Sequence, residues 1–251
     1  MYINNIPIYF FLIVGIAGIL IGQYMEWVIK RLRKKEKVIC KDFFKTYLRS
    51  FHVNLGLMAV TALLYMITLY VSGIKLETLE YLMIIPSLIG IFIIDYKEHI
   101  IPNRLVLSIL EVGIVFTFIL GSGFIAGADG LNIFIDKLLG LAVGFVVFFL
   151  ISLISKALSK KEALGSGDVK LMASLGLVFG FSNVLIIALM SFLIGAIVSI
   201  VLLIAKKKHF QDYIAFGPFI VIAAIATIFV PHDILVLIIM KIFTLGMYKV
   251  K

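Results

Sequence analysis

A single cysteine, Cys40, stands in a chain of 251 residues. That excludes an intramolecular disulfide and any zinc cluster built from the chain's own cysteines. Charge is scarce as well, at 15% of residues, with 14 Asp and Glu against 23 Lys and Arg. The bulk is apolar: 63% of residues are hydrophobic and the mean hydropathy is +1.17. A water-soluble domain of this size has nowhere to hide so much apolar surface, because ordinary usage is nearer one half. Several runs approach or exceed the ~18–20 residues a helix needs to cross a bilayer. They are continuous rather than alternating, which excludes a β-barrel. The fold class expected is therefore an all-α polytopic membrane protein with about eight transmembrane helices. A net charge of +9 would suggest nucleic acid in a soluble protein. Here Lys and Arg gather between apolar runs, as cytoplasmic loops do, so lipid and no nucleic acid is the expected environment.

Taken in order, the first span covers about 7–29 and leads into a basic segment from Lys30 to Arg49. The run is too long, and its basic flank lies on the wrong side, for a cleaved secretory signal. A retained span with the N-terminus outside and that loop in the cytoplasm is the expectation. The second span is about 53–74, followed by an outer turn holding Lys75, Glu77 and Glu80. The third, about 81–94, meets Asp95 at the inner side. Spans four (105–124) and five (138–155) go out and back. The run after Asp168 is too long for one crossing, and Gly180-Phe181-Ser182-Asn183 divides it into a short sixth helix and a seventh, 184–205. The eighth span starts near Gly217-Pro218 and ends near Pro231. The last apolar piece, 234–247, is short and reads as interfacial or as a hairpin arm.

Two acids stand out in this layout. Asp168 follows Gly165-Ser166-Gly167, and glycines spaced by two share no helix face, so they read as a side-chain-free entry into the next helix. The plain alternative is that Asp168 only caps that helix, as Asp often does. Asp95 falls at the same depth, behind only about fourteen apolar residues, short of the usual ~20. Its plain alternative is an interfacial acid offsetting Lys97 or Arg104. An ionisable group at such depth is costly without a partner or a task. Two carboxyls held together in a poorly solvated site cannot both ionise comfortably. They supply a base and an acid that titrate as one unit, which is what activating water against a peptide carbonyl requires.

The segment Asp95-Tyr96-Lys97-Glu98-His99-Ile100-Ile101-Pro102-Asn103-Arg104-Leu105 resembles the first aspartate motif of type IV prepilin leader peptidases. Gly165-Ser166-Gly167-Asp168-Val169-Lys170-Leu171 is similar to their second, the glycine-x-glycine-aspartate signature shared with presenilin-type intramembrane aspartyl proteases. Phe216-Gly217-Pro218-Phe219 resembles the opening of the family's last helix. Gly18 to Gly22, running on through Val28 to Leu32, is similar to its first-helix motif, with Gln23-Tyr24 in place of Ser-Phe. The resemblance implies a membrane endopeptidase that removes the basic leader of prepilins and pseudopilins after a glycine. It would act at the cytoplasmic face of a bacterial inner membrane.

Asp95 and Asp168 would be the catalytic acids, with Gly165, Gly167, Lys170, Pro102, Gly217 and Pro218 as the supporting motif. The peptidase itself would need no cofactor. Many members also methylate the new N-terminus with S-adenosylmethionine. Their first loop often carries two Cys-x-x-Cys pairs that bind zinc. Here the loop is short and holds Cys40 alone, so no metal site is expected, and methyl transfer stays open along with its cofactor-binding residues. The division expected is 1–75 for the N-terminal helices and basic loop, 76–233 for the peptidase core, and 234–251 for the C-terminal segment.

Other polar groups have plainer readings. Glu26 can pair with Lys30 at i,i+4, or belong to a cofactor or substrate surface. Glu111, two turns into the fourth span, has no local partner. His52 and His99 lack companions for a metal. Lys170 could neutralise a carboxylate or meet lipid phosphates. Pro86 and Pro218 kink or start helices. The rival from another class is a proton-coupled transporter with Asp95, Asp168 and Glu111 as relay groups. Such a protein places its acids near the midplane and often shows two related halves. A catalytically inert scaffold is the third reading.

Overall fold

In hydrocarbon a backbone must satisfy its own N–H and C=O groups, and a helix does so within one segment. The apolar runs accordingly become helices in the computed structural model, which describes residues 2–4, 6–36, 54–122, 127–159, 164–205 and 214–244. A short antiparallel pairing of Tyr2–Ile3 (β1) with Ile6–Pro7 (β2) precedes α1, Ile8–Arg33. Then come α2 (Leu55–Ser72), α3 (Leu76–Glu98), α4 (Asn103–Gly121) and α5 (Gly130–Ser159). The chain continues with α6 (Ser166–Ile204), α7 (Gly217–Phe229) and α8 (His232–Phe243). Of these eight described helices, six, α1 to α6, are long and apolar enough to cross a membrane. Cys40, His52 and most of the basic loops lie outside the described residues.

The 39 residues of α6 do not run straight. Gly180 leaves the helical region with φ 79° and ψ 179°, a left-handed conformation that glycine adopts without a Cβ penalty. Met172 and Val184 would be about 18 Å apart along an unbroken helix. Both nevertheless lie against Gly144 of α5, so α6 folds back on itself at Gly180. The division expected at Gly180-Phe181-Ser182-Asn183 is therefore present, with one residue making the turn. Asp136 of α5 accepts a hydrogen bond from the Phe181 N–H at 3.3 Å, satisfying a donor that the break exposes.

Small residues set the closest helix contacts, as they do where no hydrophobic force drives helices together in lipid. Gly140 of α5 meets Gly176 of α6 backbone to backbone. On the other side of the bundle, Gly18 and Gly22 of α1 face Ala62 and Thr61 of α2. The Thr61 hydroxyl donates to the Gly18 carbonyl at 2.8 Å. The main core gathers Ile84, Leu88 and Ile91 of α3, Ile109 of α4, Phe148 of α5, and Leu171 and Leu175 of α6, with Ile220 of α7. A smaller cluster packs Leu235 and Ile239 of α8 on Ile186. That gives the expected short terminal piece a seat on the second arm of α6.

Two helix starts differ from the sequence reading: α5 begins at Gly130 and not near 138, which brings Asp136 and Lys137 into the helix, and α3 begins early as well. Helix α3 starts at Leu76, so Glu77 and Glu80 belong to it rather than to an outer turn. Glu80 tolerates its place because Lys137 of α5 donates to both its carboxylate oxygens, at 2.7 and 2.8 Å. Both residues are buried, Glu80 at 1% and Lys137 at 7% exposure. Substituting Lys137→Met strands the Glu80 charge and is expected to lower stability by about 3–5 kcal/mol. The double change Glu80→Met with Lys137→Met should recover most of that loss, read by thermal unfolding of the purified protein in detergent.

Candidate active site

Asp95 sits in the last turn of α3, and its carbonyl accepts the N–H of His99 at 2.9 Å. His99 adopts the left-handed region, φ 55°, and so ends the helix. The chain then runs to Pro102, whose extended backbone leads into α4 at Asn103. Proline has no N–H to lose at such a start, and its fixed φ suits the entry. An ion pair between Arg33 of α1 and Glu98 of α3, 2.5 Å long, ties down the same end.

Asp168 lies in the first turn of α6. The Gly165 N–H donates to its Oδ2 at 3.0 Å, while the Asp168 N–H bonds back to the Gly165 carbonyl at 3.1 Å. This is the returning half of a capping box: the N-cap is Gly165, and Asp168 acts from the third helical position. That role accounts for one oxygen. The other, Oδ1, is buried and has no hydrogen-bond partner among the described residues. A buried acceptor left unmade is costly and calls for an explanation.

The structure brings the two acids together. Each is only 3% exposed, and the Asp95 charge acts directly on Asp168. Helix α7 supplies the third wall, because it packs on both α3 and α6. The Gly217 N–H at its start points at the Asp95 carboxyl. A Cβ at Gly217 would stand 2.5 Å from Asp95 Oδ2, so the close approach requires glycine there. Pro218 follows in the first turn of α7.

Ile101, which the sequence reading quoted but gave no role, joins the three pieces. A Cβ at Gly167 would meet its Cβ at 2.9 Å, and one at Gly217 its Cδ1 at 3.1 Å. Its place just before Pro102, inside the first aspartate segment, was the available signal. Among the described residues Lys170 forms no ion pair; its ammonium donates to Asn103 Oδ1 at 3.2 Å and links α6 to α4.

The other polar candidates lie apart from this pocket. Glu26 pairs with Lys30 at 2.9 Å and accepts from Asn54 Nδ2 at 2.9 Å, as the i,i+4 spacing suggested. Glu111 lies exposed on α4, away from both aspartates. Glu80 and Lys137 occupy the opposite end of the bundle, near Gly180. Among the described residues no group of three or more His, Cys, Asp or Glu could hold a metal ion. Chemically, two adjoining buried carboxyls, one with a vacant acceptor, form a site that can hold and polarise a single water molecule.

Residues 82–200 match the model of the type IV leader peptidase family. The chain is 32% identical over 146 residues to the prepilin leader peptidase/N-methyltransferase of Aeromonas hydrophila, covering 58% of this chain and 47% of that protein. It is 33% identical over 142 residues to the protein of the same name from Xanthomonas campestris pv. campestris, covering 56% and 46%. With the Neisseria gonorrhoeae protein it shares 30% over 159 residues, covering 63% and 51%. The chain spans about half the length of the curated relatives it matches. No solved structure matches it. Both buried aspartates lie inside the matched segment, and that segment, residues 82–200, is of the type IV leader peptidase family.

Proposed function

We propose that this chain is a membrane aspartyl endopeptidase that removes the basic leader of prepilins and pseudopilins at the cytoplasmic face of a bacterial inner membrane. The observation that carries the reading is the meeting of Asp95 and Asp168, one oxygen of which lacks any partner. In this mechanism the pair shares one proton, because two adjacent carboxylates repel. The ionised member takes a proton from a water molecule held between them. The protonated member donates to the scissile carbonyl oxygen as the water attacks. The pair then returns a proton to the leaving amine. Which aspartate holds the proton at each stage belongs to the pair and not to either residue.

The surroundings support these roles. Gly165 N–H holds Asp168 Oδ2 and Gly217 N–H orients Asp95, so each carboxyl is aimed by backbone rather than by a mobile side chain. Preorganisation of this kind is what acid–base catalysis needs. Lys30, Arg31 and Arg33 at the end of α1, with Lys97 and Arg104 beside the Asp95 segment, stand at the same end of the bundle, which supports a cytoplasmic placement of the pocket and an outside N-terminus. A basic leader would be repelled by those basic residues and drawn to the acids. The peptidase core is assigned to 76–233, between an N-terminal unit of 1–75 and a terminal segment of 234–251.

Methyl transfer from S-adenosylmethionine is the second half of the reading. Residues 37–53 lie outside the described residues, and next to them Glu26, Lys30 and Asn54 satisfy one another. No step of the cleavage runs through that cofactor.

Co-expression with a prepilin-like precursor should yield a shortened product. Asp95→Asn and Asp168→Asn should each slow its formation by about 10²–10⁴-fold with membrane insertion unchanged. Both variants cutting at the native rate would end the proposal. Gly217→Ala, by crowding Asp95 Oδ2, should cost on the order of 100-fold in cleavage without unfolding the protein. The mass of the product's N-terminal peptide tests methylation: one methyl group heavier supports it, and an unmodified product removes it from the reading.

A further inference from the structure

Among the described residues, Glu111 is the carboxylate well inside a span that the site leaves unexplained. It stands eight residues into α4, about 12 Å along the axis from Asn103, and is exposed. Among the described residues it makes no hydrogen bond or ion pair. An ionisable group facing lipid at that depth requires a partner. Acyl chains offer no donor.

Glu111 lines a lateral groove between α1, α3 and α4. The groove consists of two cavities of about 490 and 530 Å³ that share Tyr24, Met25 and Ser87. Its walls are mostly apolar, and the hydroxyls of Ser87 and Ser108 satisfy each other at 2.8 Å. Glu111 is thus the polar group in the groove still lacking a partner. The groove also reaches the catalytic end. Met25 and Leu105 pack over Gly90 of α3, about 7.5 Å along the helix from Asp95. Arg104, at the start of α4, lines its inner mouth.

We infer that this groove is the seat of the substrate's apolar transmembrane helix, and that Glu111 receives a hydrogen-bond donor carried on that helix. The inference rests on the peptidase reading and adds where the substrate lies. An apolar helix laid in an apolar groove with one polar anchor is a common mode of recognition. Asp95 is three residues from the end of α3 and Glu111 eight from the start of α4. Glu111 therefore lies about 7.5 Å deeper than the cut. The donor it meets falls one to two turns beyond the scissile bond. A second groove, between α4, α5 and α6 and lined by Leu141 and Phe145, is the competing seat.

Disulfide trapping separates the two. In a Cys40→Ser background made inactive by Asp168→Asn, Tyr24→Cys or Met83→Cys should form an adduct with a cysteine placed in the apolar helix of a prepilin-like precursor. Phe145→Cys and the lipid-facing Ile197→Cys should not. Adducts through Phe145→Cys or Ile197→Cys alone overturn the inference. In the active enzyme, Glu111→Leu should raise KM about tenfold with kcat little changed. It should also raise Tm, since it removes an unpartnered carboxylate. An unchanged KM overturns the role of Glu111. If the wild type fails to cut the precursor at all, the peptidase reading fails instead. A wild type that cuts normally, with no groove adduct, sinks only the placement.

Discussion

The candidate site depends on how the Asp168 carboxyl is held. One oxygen is spoken for by the backbone of its own helix entry, the other is buried with no hydrogen-bond partner among the described residues, and the charge of a second acid, Asp95, acts on the group. Around that arrangement the remaining elements act as walls. Helix α3 ends where Asp95 must stand, and His99 stops it by turning left-handed. Helix α7 begins with a residue too small to push Asp95 away. Ile101 wedges between the two glycine-lined entries. Three helix termini converge at one end of the bundle, where irregular backbone can be satisfied by protein and water rather than lipid.

The far end is built differently. There Glu80 and Lys137 neutralise each other, and Asp136 closes the break at Gly180. A buried ion pair is a weak source of stability, because desolvation offsets most of the attraction. Its effect here is to connect α3 with α5, which is locked to the α6 arms through Gly140 and Gly176. The helices carrying Asp95 and Asp168 are thus braced at the end remote from them. A relay for protons across the membrane would need acids spread along the bundle or near its midplane. Instead the two buried aspartates meet at one end of the bundle.

Much of this was legible in the residue order. Hydropathy located the spans because lipid imposes one length scale on every crossing. Gly180 declared a break, and Glu26 with Lys30 declared a pair, because both are local features. The position of the two aspartates could be read from the alternation of spans. What stayed hidden depends on contacts between distant segments. Glu80 looked like a loop residue because its partner lies 57 positions away. Lys170 gave no sign that its ammonium also reaches Asn103 of a different helix. The glycine at 217 gave no hint in one dimension that its missing side chain makes room for an acid.

The most direct measurement is a distance between the two acidic positions in the intact protein. With Cys40→Ser as background, Asp95→Cys combined with Asp168→Cys should be joined efficiently by a short bifunctional thiol reagent in native membranes. Glu80→Cys combined with Asp168→Cys, which places the thiols at opposite ends of the bundle, should remain unlinked. Failure of the first pair to link, or equal linking of both, would contradict a shared pocket for Asp95 and Asp168.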